Sequence, residues 1–362
     1  MIRKSLTLSL QEKIEQRRQS GKKVYSLSNP TFNPKTLNKI SLKNYNLQGI
    51  LTGEQKLKKI AQDYLFNDWT IKNKSKNKIL ITSGAKAALY CVFKGLVDIN
   101  KKNICVINPN WPTYFDIIKL ANGIPHNFNT YLKDNFELDL DKLENKIIKS
   151  NINILVLTSP NNPTGKIINN LIINKLIRIC AKLKCYLVLD ESFSSYVYQE
   201  KKLLVNKNFD NKYTILINSF SKNFHLQGLR LGAILCSDNL YEIFSNIHIA
   251  INGAASFISQ KLIIDNKKNL LKKINIKSKS KLVTNFFDSK NVNYYKPDGS
   301  FYLFPKINNK KYFKKVSEKN GLFYLNGEAF GKVYKDYYRF CFEKKISELK
   351  LILNIMDKYD IY

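Results

Sequence analysis

Ile154-Leu155-Val156-Leu157 is followed by the turn Ser159-Pro160-Asn161-Asn162-Pro163-Thr164-Gly165, a helical pattern from Ile168 to Lys182, and a second apolar run, Tyr186-Leu187-Val188-Leu189. This is a strand–helix–strand unit. Both runs are apolar at every position rather than alternately, which predicts strands covered on both faces within a mostly parallel sheet. Outward from this unit the alternation continues. Lys78–Thr82, Ile104–Ile107 and Tyr213–Asn218 read as strands, and Ala85–Leu96 and Tyr114–Ala121 as helices. The expected fold class is therefore α/β, a mostly parallel sheet with helices on both faces, and groups that do chemistry are expected at the carboxyl ends of its strands.

Beyond this region the texture changes. Residues 8–23 read as a helix closed by Gly21, Ser28–Pro34 as a loop, and Glu54–Phe66 as a helix. After Leu235 comes one long helical stretch, Tyr241–Ile274, then helix again to about Phe287. Strands are expected at Asn293–Tyr295, Ser300–Phe304, Gly321–Leu325 and Tyr338–Phe342, with a last helix at Ile346–Tyr359. That mixture suits a smaller α+β domain. The expected division is an N-terminal segment, 1–44, packing with the small domain, a large domain, 45–250, and a small C-terminal domain, 251–362.

With 362 residues and 44% hydrophobic content, the chain can bury a large core. Its apolar runs are far shorter than the roughly 20 residues of a membrane span, and no cleavable leader is recognisable at Met1–Lys13, so a cytoplasmic location is expected. Six single cysteines without metal-ligand spacing read as small buried hydrophobes. The formal charge of +32 raises the question of nucleic acid. The positive residues are almost all lysines spread from end to end, as a bias toward A/T-rich codons would also produce. No specific nucleic-acid function is expected, only weak adhesion to polyanions.

Four motifs fall where strands end. Thr82-Ser83-Gly84-Ala85-Lys86 is a small-residue turn opening a helix, whose free N–H groups would bind a phosphate, although a plain strand-to-helix turn looks the same. The two prolines of the 159–165 turn fix it and aim an amide above the sheet. Leu187-Val188-Leu189-Asp190-Glu191 ends a buried strand in a carboxylate, which is costly unless it meets a cation such as a protonated pyridine nitrogen. Ser219-Phe220-Ser221-Lys222 precedes Gly228-Leu229-Arg230-Leu231-Gly232, where an arginine between glycines suits an anion.

In order and spacing these motifs resemble those of the aspartate-aminotransferase-like superfamily, the fold type I pyridoxal-phosphate enzymes, and most closely its class I/II aminotransferases. The resemblance runs from about Val24 to Glu348 and implies a role for each matching position. Lys222 would carry pyridoxal 5′-phosphate as a Schiff base and shuttle a proton. Asp190 would pair with the pyridine nitrogen, and Asn162 would donate to the ring's phenolic oxygen. Gly84, Ala85, Lys86, Ser219 and Arg230 would surround the phosphate with Ser221 nearby, and Trp111 would stack on the ring. For Trp111 a place as a core aromatic stays open. Arg339, inside Tyr337-Tyr338-Arg339-Phe340-Cys341-Phe342, would grip the substrate α-carboxylate, and Pro297-Asp298-Gly299-Ser300-Phe301-Tyr302 resembles the family's entry to the preceding strand. Asn162, Ser28 and Lys86 would also meet substrate. For Lys86 the partner is the distal carboxylate of an acidic amino acid, or else it is an ordinary solvated helix lysine.

The chain departs from the pattern in three places. Ser28 stands where a glycine is usual, the tyrosine that reaches the neighbouring subunit falls near Gln48 with Tyr45 close by, and Phe193 replaces the common tyrosine three residues after the aspartate. The implied activity is transfer of an amino group from an L-amino acid, aspartate or glutamate among the candidates, to a 2-oxo acid, in a homodimer with shared active sites. Decarboxylation of an amino acid or amino-acid phosphate on the same fold is the alternative, because Asp-Glu-Ser-Phe resembles some such enzymes.

Overall fold

The structure, a computed structural model, describes residues 6–32, 50–70, 77–198, 207–210, 212–271 and 276–362. In chain order its elements begin with α1 (Leu6–Gln19), β1 (Tyr25–Ser26), α2 (Gln55–Leu65), β2 (Trp69–Thr70), β3 (Asn77–Thr82), α3 (Ala85–Asp98), β4 (Asn103–Asn108), α4 (Thr113–Leu120) and β5 (Ile124–Asn129). Then come α5 (Leu140–Lys149), β6 (Ile154–Thr158), α6 (Asn170–Lys182), β7 (Tyr186–Asp190), β8 (Lys207–Asn208), β9 (Thr214–Ser219), the single turn α7 (Phe220–Asn223), β10 (Gly232–Ser237) and α8 (Asp238–Asn252).

Seven of these strands form the central sheet, in the order β3-β10-β9-β7-β6-β4-β5. All neighbours run parallel except β10, which is antiparallel to both β3 and β9. The uniformly apolar strands serve two cores at once. Leu155, Leu157, Leu187 and Leu189 face one cluster, while Ile154, Val156 and Val188 face the other. Side chains alternate across a strand, so a strand buried on both faces must be apolar throughout.

Sequence patterning misses β5. Its residues, Ile-Pro-His-Asn-Phe-Asn, include three polar side chains and a proline, and they form the sheet's edge, where an unpaired side tolerates both. The expected long helix Tyr241–Ile274 is also corrected. It divides into α8, α9 (Phe257–Asp265) and α10 (Lys267–Leu270), and Ile274 lies outside the described residues. Gly253, with φ of 64°, ends α8, and Ser256 Oγ accepts from the Ser259 N–H to begin α9.

The remaining elements are α11 (Lys277–Ser289), β11 (Tyr302–Leu303), α12 (Lys310–Asn320), β12 (Leu322–Phe323), β13 (Leu325–Asn326), β14 (Tyr338–Cys341) and α13 (Ile346–Lys358). The expected strand at Asn293–Tyr295 is irregular instead, with the Tyr294 and Tyr295 hydroxyls bonded to Asp288 and Asp298. An antiparallel sheet in the order β11-β14-β13 packs with α11 and α13 around a separate core that includes Phe287, Phe301, Phe340 and Ile352. The N-terminal segment joins this part. β1 pairs in parallel with β12, and Arg17 donates to the carbonyls of Glu318 and Lys319 at 2.9 and 3.1 Å, satisfying the carbonyl end of α12. Among the described residues no single helix is long and apolar enough to cross a membrane.

Candidate active site

A cavity of about 640 Å³ opens at the carboxyl ends of the parallel strands. Ala85, Lys86, Trp111, Asn162, Asp190, Ser219, Ser221, Lys222, Arg230 and Arg339, which reach it from seven separate stretches of chain, all line it. Two expected residues stand just behind the wall. Gly84 lies under Arg230, where an added Cβ would come within 2.7 Å of Nη2, and Ser28 is fully buried beneath Arg339, although its neighbours Asn29 and Pro30 reach the cavity. Tyr45 and Gln48 lie outside the described residues.

Lys222 sits on α7, a turn too short to hold itself and capped by Ser219, whose Oγ accepts from the Ser221 N–H at 3.1 Å. Its Nζ donates to Gln227 Oε1 at 3.2 Å. Burial first, then the charges of Arg339, Arg230 and Lys86, bring its pKa down to about 8. Such an amine is a far better nucleophile at neutral pH than an ordinary lysine.

Asp190 ends β7 and is 4% exposed. Tyr114 donates to Oδ2 at 2.5 Å and the Ser192 N–H to Oδ1 at 2.9 Å, yet burial still raises its pKa, and no cation among the described residues pairs with it. Glu191 faces away. It meets Lys207 and the Trp69 indole N–H, and Lys207 also pairs with Asp68 at 2.7 Å, so this carboxylate ties β2 to β8 rather than serving the cavity.

On the opposite wall, Arg339 donates from Nη1 to Asn162 Oδ1 at 3.0 Å and from Nη2 to the Ser28 carbonyl at 2.8 Å. Its guanidinium carbon lies 4.3 Å from the Tyr302 ring centroid, and its buried Nε has no hydrogen-bond partner among the described residues. An unsatisfied N–H on a guanidinium that borders a cavity suits an incoming carboxylate. At the other end Arg230, in a left-handed conformation with φ of 52°, donates to the Gln227 carbonyl and reaches across the first turn of α3. A guanidinium over a helix N-terminus is an anion cup. Lys86 stands 5.3 Å from the Trp111 ring, its pKa lowered by burial and then by Arg230. Among the described residues four cations thus face one carboxylate, and the cavity calls for anionic ligands.

Phe193 lines the cavity edge-on to Phe301 and Tyr302, at 5.3 and 5.9 Å between centroids. Motif reading missed Tyr114, Thr158, Tyr302 and Gln227 as cavity residues. Tyr302 lies inside the 297–302 motif and Tyr114 opens an expected helix just after Trp111, so both could have been found there, whereas nothing local marks Thr158 or Gln227.

The donor set fits pyridoxal phosphate. A buried acid that no cation among the described residues pairs matches a protonated ring nitrogen, the cup matches a phosphate, and an amine of lowered pKa matches an aldehyde. The chain's fold matches the crystal structure of aspartate aminotransferase from Thermotoga maritima, with a TM-score of 0.82 at 24% identity, covering 99% of this chain and 97% of that one. The fold is therefore that of the aspartate-aminotransferase-like α/β enzymes. The family follows from the sequence, since the profile described as aminotransferase class I and II matches residues 34–354, and the chain belongs to that family. Among curated relatives it is similar to an aspartate aminotransferase of Sulfurisphaera tokodaii, 28% identical over 295 residues, covering 76% of this chain and 73% of the relative. It is also similar to a probable aspartate aminotransferase of Methanocaldococcus jannaschii, 29% identical over 325 residues, covering 84% and 83%. The chain is an aminotransferase, of a class that generally depends on pyridoxal phosphate.

Proposed function

We propose that this enzyme binds pyridoxal 5′-phosphate in the 640 Å³ cavity and moves the amino group of an L-amino acid, aspartate or glutamate foremost, to a 2-oxo acid. The observation that carries this reading is the pairing within one cavity of Lys222, whose pKa is lowered, with Asp190, a buried carboxylate that no cation among the described residues pairs. When bound, the cofactor supplies an electron sink for the pair released at the substrate α-carbon. Lys222 would hold the cofactor through its Nζ and, once freed by substrate, would take and return the proton at the α-carbon. Asp190, oriented by Tyr114 and the Ser192 N–H, keeps a proton on the ring nitrogen. Gly84, Ala85, Ser219, Ser221 and Arg230 hold the phosphate, Trp111 covers the ring, and Asn162 donates to the ring oxygen. Arg339 takes the α-carboxylate of the substrate, with Ser28 setting its angle. The preference for an acidic substrate rests on Lys86, an exposed cation at the cavity beside Trp111 that nothing anionic in the described residues closely pairs.

The enzyme works as a cytoplasmic homodimer in amino-acid biosynthesis. Exposed Ile50, Leu51, Tyr64, Ile251 and Ile258, on and around α2, α8 and α9, support a face covered by a second copy. Purified protein reconstituted with pyridoxal phosphate and offered a panel of amino acids tests the reading. Conversion to pyridoxamine phosphate with release of the 2-oxo acid is expected, fastest with aspartate or glutamate, and carbon dioxide release without oxo acid would overturn it.

A further inference from the structure

The residue after Lys222 is a fully buried asparagine whose side chain faces away from the cavity into a seam between four segments. Asn223 Nδ2 donates to Asn218 Oδ1 at 2.6 Å, to the Ser219 carbonyl at 3.1 Å and more distantly to the Glu191 carbonyl at 3.4 Å, while its Oδ1 accepts from the Ser195 N–H at 2.8 Å. Asn218, also fully buried, accepts from the Ser219 N–H at 2.7 Å and donates to the Leu65 carbonyl at 2.8 Å and to Ser194 Oγ at 3.2 Å. Two carboxamides therefore join the end of β9, the turn carrying Lys222, the residue after Asp190, and the loop after Phe193.

We infer that Asn223, seated on Asn218, is a positioning residue that fixes the Lys222 amine relative to Asp190. The turn α7 has four residues and one side-chain cap, which by themselves do not define where its lysine points. The only buried polar group that bonds both to this turn's own strand end and to the strand end bearing Asp190, among the described residues, is the Asn223 carboxamide. Buried networks of this kind hold a geometry only when every donor and acceptor is satisfied, as these are. The inference rests on the assignment of Lys222 as the cofactor-bonding amine.

The test separates bonding from binding. Pyridoxamine 5′-phosphate has an amine in place of the aldehyde, so it reads the phosphate cup and Asp190 but cannot bond to Lys222. On mixing cofactor-free enzyme with pyridoxal phosphate, the rate at which the visible absorbance of the lysine–cofactor bond appears should fall at least ~10-fold in Asn223→Ala, and by less in Asn223→Ser, which restores one hydrogen-bonding group. The Kd for pyridoxamine phosphate should stay within about threefold of the wild-type value in both, since its contacts are untouched. An unchanged rate would overturn the inference, and so would equal loss of rate and of pyridoxamine phosphate affinity in both variants, which marks a role in the fold alone. If the wild-type enzyme itself develops no visible band, the assignment of Lys222 fails instead, an outcome distinct from either.

Discussion

Asn162 Oδ1 accepts a hydrogen bond from Arg339 Nη1 at 3.0 Å, so the turn after β6 and the strand β14 are locked together in the buried wall of the cavity. The bond commits Asn162 Oδ1 to the guanidinium and leaves Nδ2 as its donor end. It also sets the plane of Arg339, with the Ser28 carbonyl on Nη2 and, among the described residues, nothing on Nε. Arg339→Ala should therefore raise KM for amino acids about 30- to 150-fold, the equivalent of ~2–3 kcal/mol for charge-assisted bonds, with a smaller change in kcat. Arg339→Lys should recover little, because an ammonium cannot reproduce the fork. Steady-state kinetics on both variants checks this, and an unchanged KM would remove Arg339 from the substrate site.

The lowered pKa of Lys222 gives a pH-dependent rate. With a pKa of about 8, roughly one amine in ten is neutral at pH 7, against about one in three thousand for an ordinary lysine. Bonding of pyridoxal phosphate to the cofactor-free enzyme should accelerate with pH and level off above about 8. Replacing Arg230 should move the midpoint upward, since its charge helps to hold the pKa down. Lys222→Ala should bind the cofactor without a borohydride-reducible bond.

Asp190 trades stability for function. Its folded-state pKa is raised by burial, so the folded protein holds that proton more tightly than the unfolded chain. The sign is that of an acid whose contribution favours folding below the ordinary carboxylate range and opposes it as pH rises through the folded pKa. Cofactor-free Asp190→Asn should therefore melt at a higher temperature than cofactor-free wild type at neutral pH, and at nearly the same temperature near pH 4. It should also lose most catalysis. A lower melting temperature at neutral pH would show that the carboxylate is better compensated than its contacts indicate.

Phe193 packs edge-on to Tyr302 where many relatives would be expected to place a phenol. Without that donor, the proton on the lysine–cofactor linkage should be held more tightly. Spectroscopic titration should find the linkage still largely protonated at neutral pH, and Phe193→Tyr should shift the titration to lower pH. No shift, or an upward one, would mean that the side chain points away from the ring.

Lys86→Met should lower kcat/KM for aspartate and glutamate about tenfold more than for alanine or leucine, the scale of one partly solvated charge contact. Equal losses for all four donors would assign Lys86 to the phosphate or to the surface.

What the sequence reveals and hides follows from how local each signal is. Asp190, Asn162, Lys222 and Arg230 are legible because each lies in a short motif abutting an apolar strand, and the parallel sheet then gathers strand ends to one side. Tyr114, Gln227 and Asn223 are hidden because their roles depend on partners distant in sequence or on the direction of a side chain. The strand β5 is hidden by its edge position, and the division of α8 from α9 by a glycine that apolar periodicity on either side outweighs.

The docking of the N-terminal segment on the C-terminal part has a consequence for how the enzyme comes to exist. Tyr25 pairs with Leu322, Leu27 accepts from the Cys341 N–H, and Arg17 closes the end of α12, so every anchor of the Ser28 loop among these lies some three hundred residues further along the chain. A ribosome synthesises about 5–20 residues per second. For the roughly 6–24 s between the synthesis of Lys222 and that of Cys341, the strand that bears Asp190 and the turn that bears Lys222 already exist, while Arg17, Tyr25 and Leu27 wait without their partner surface. A nascent chain arrested near residue 300 should thus be able to capture the phosphate of the cofactor before it can recognise an amino acid.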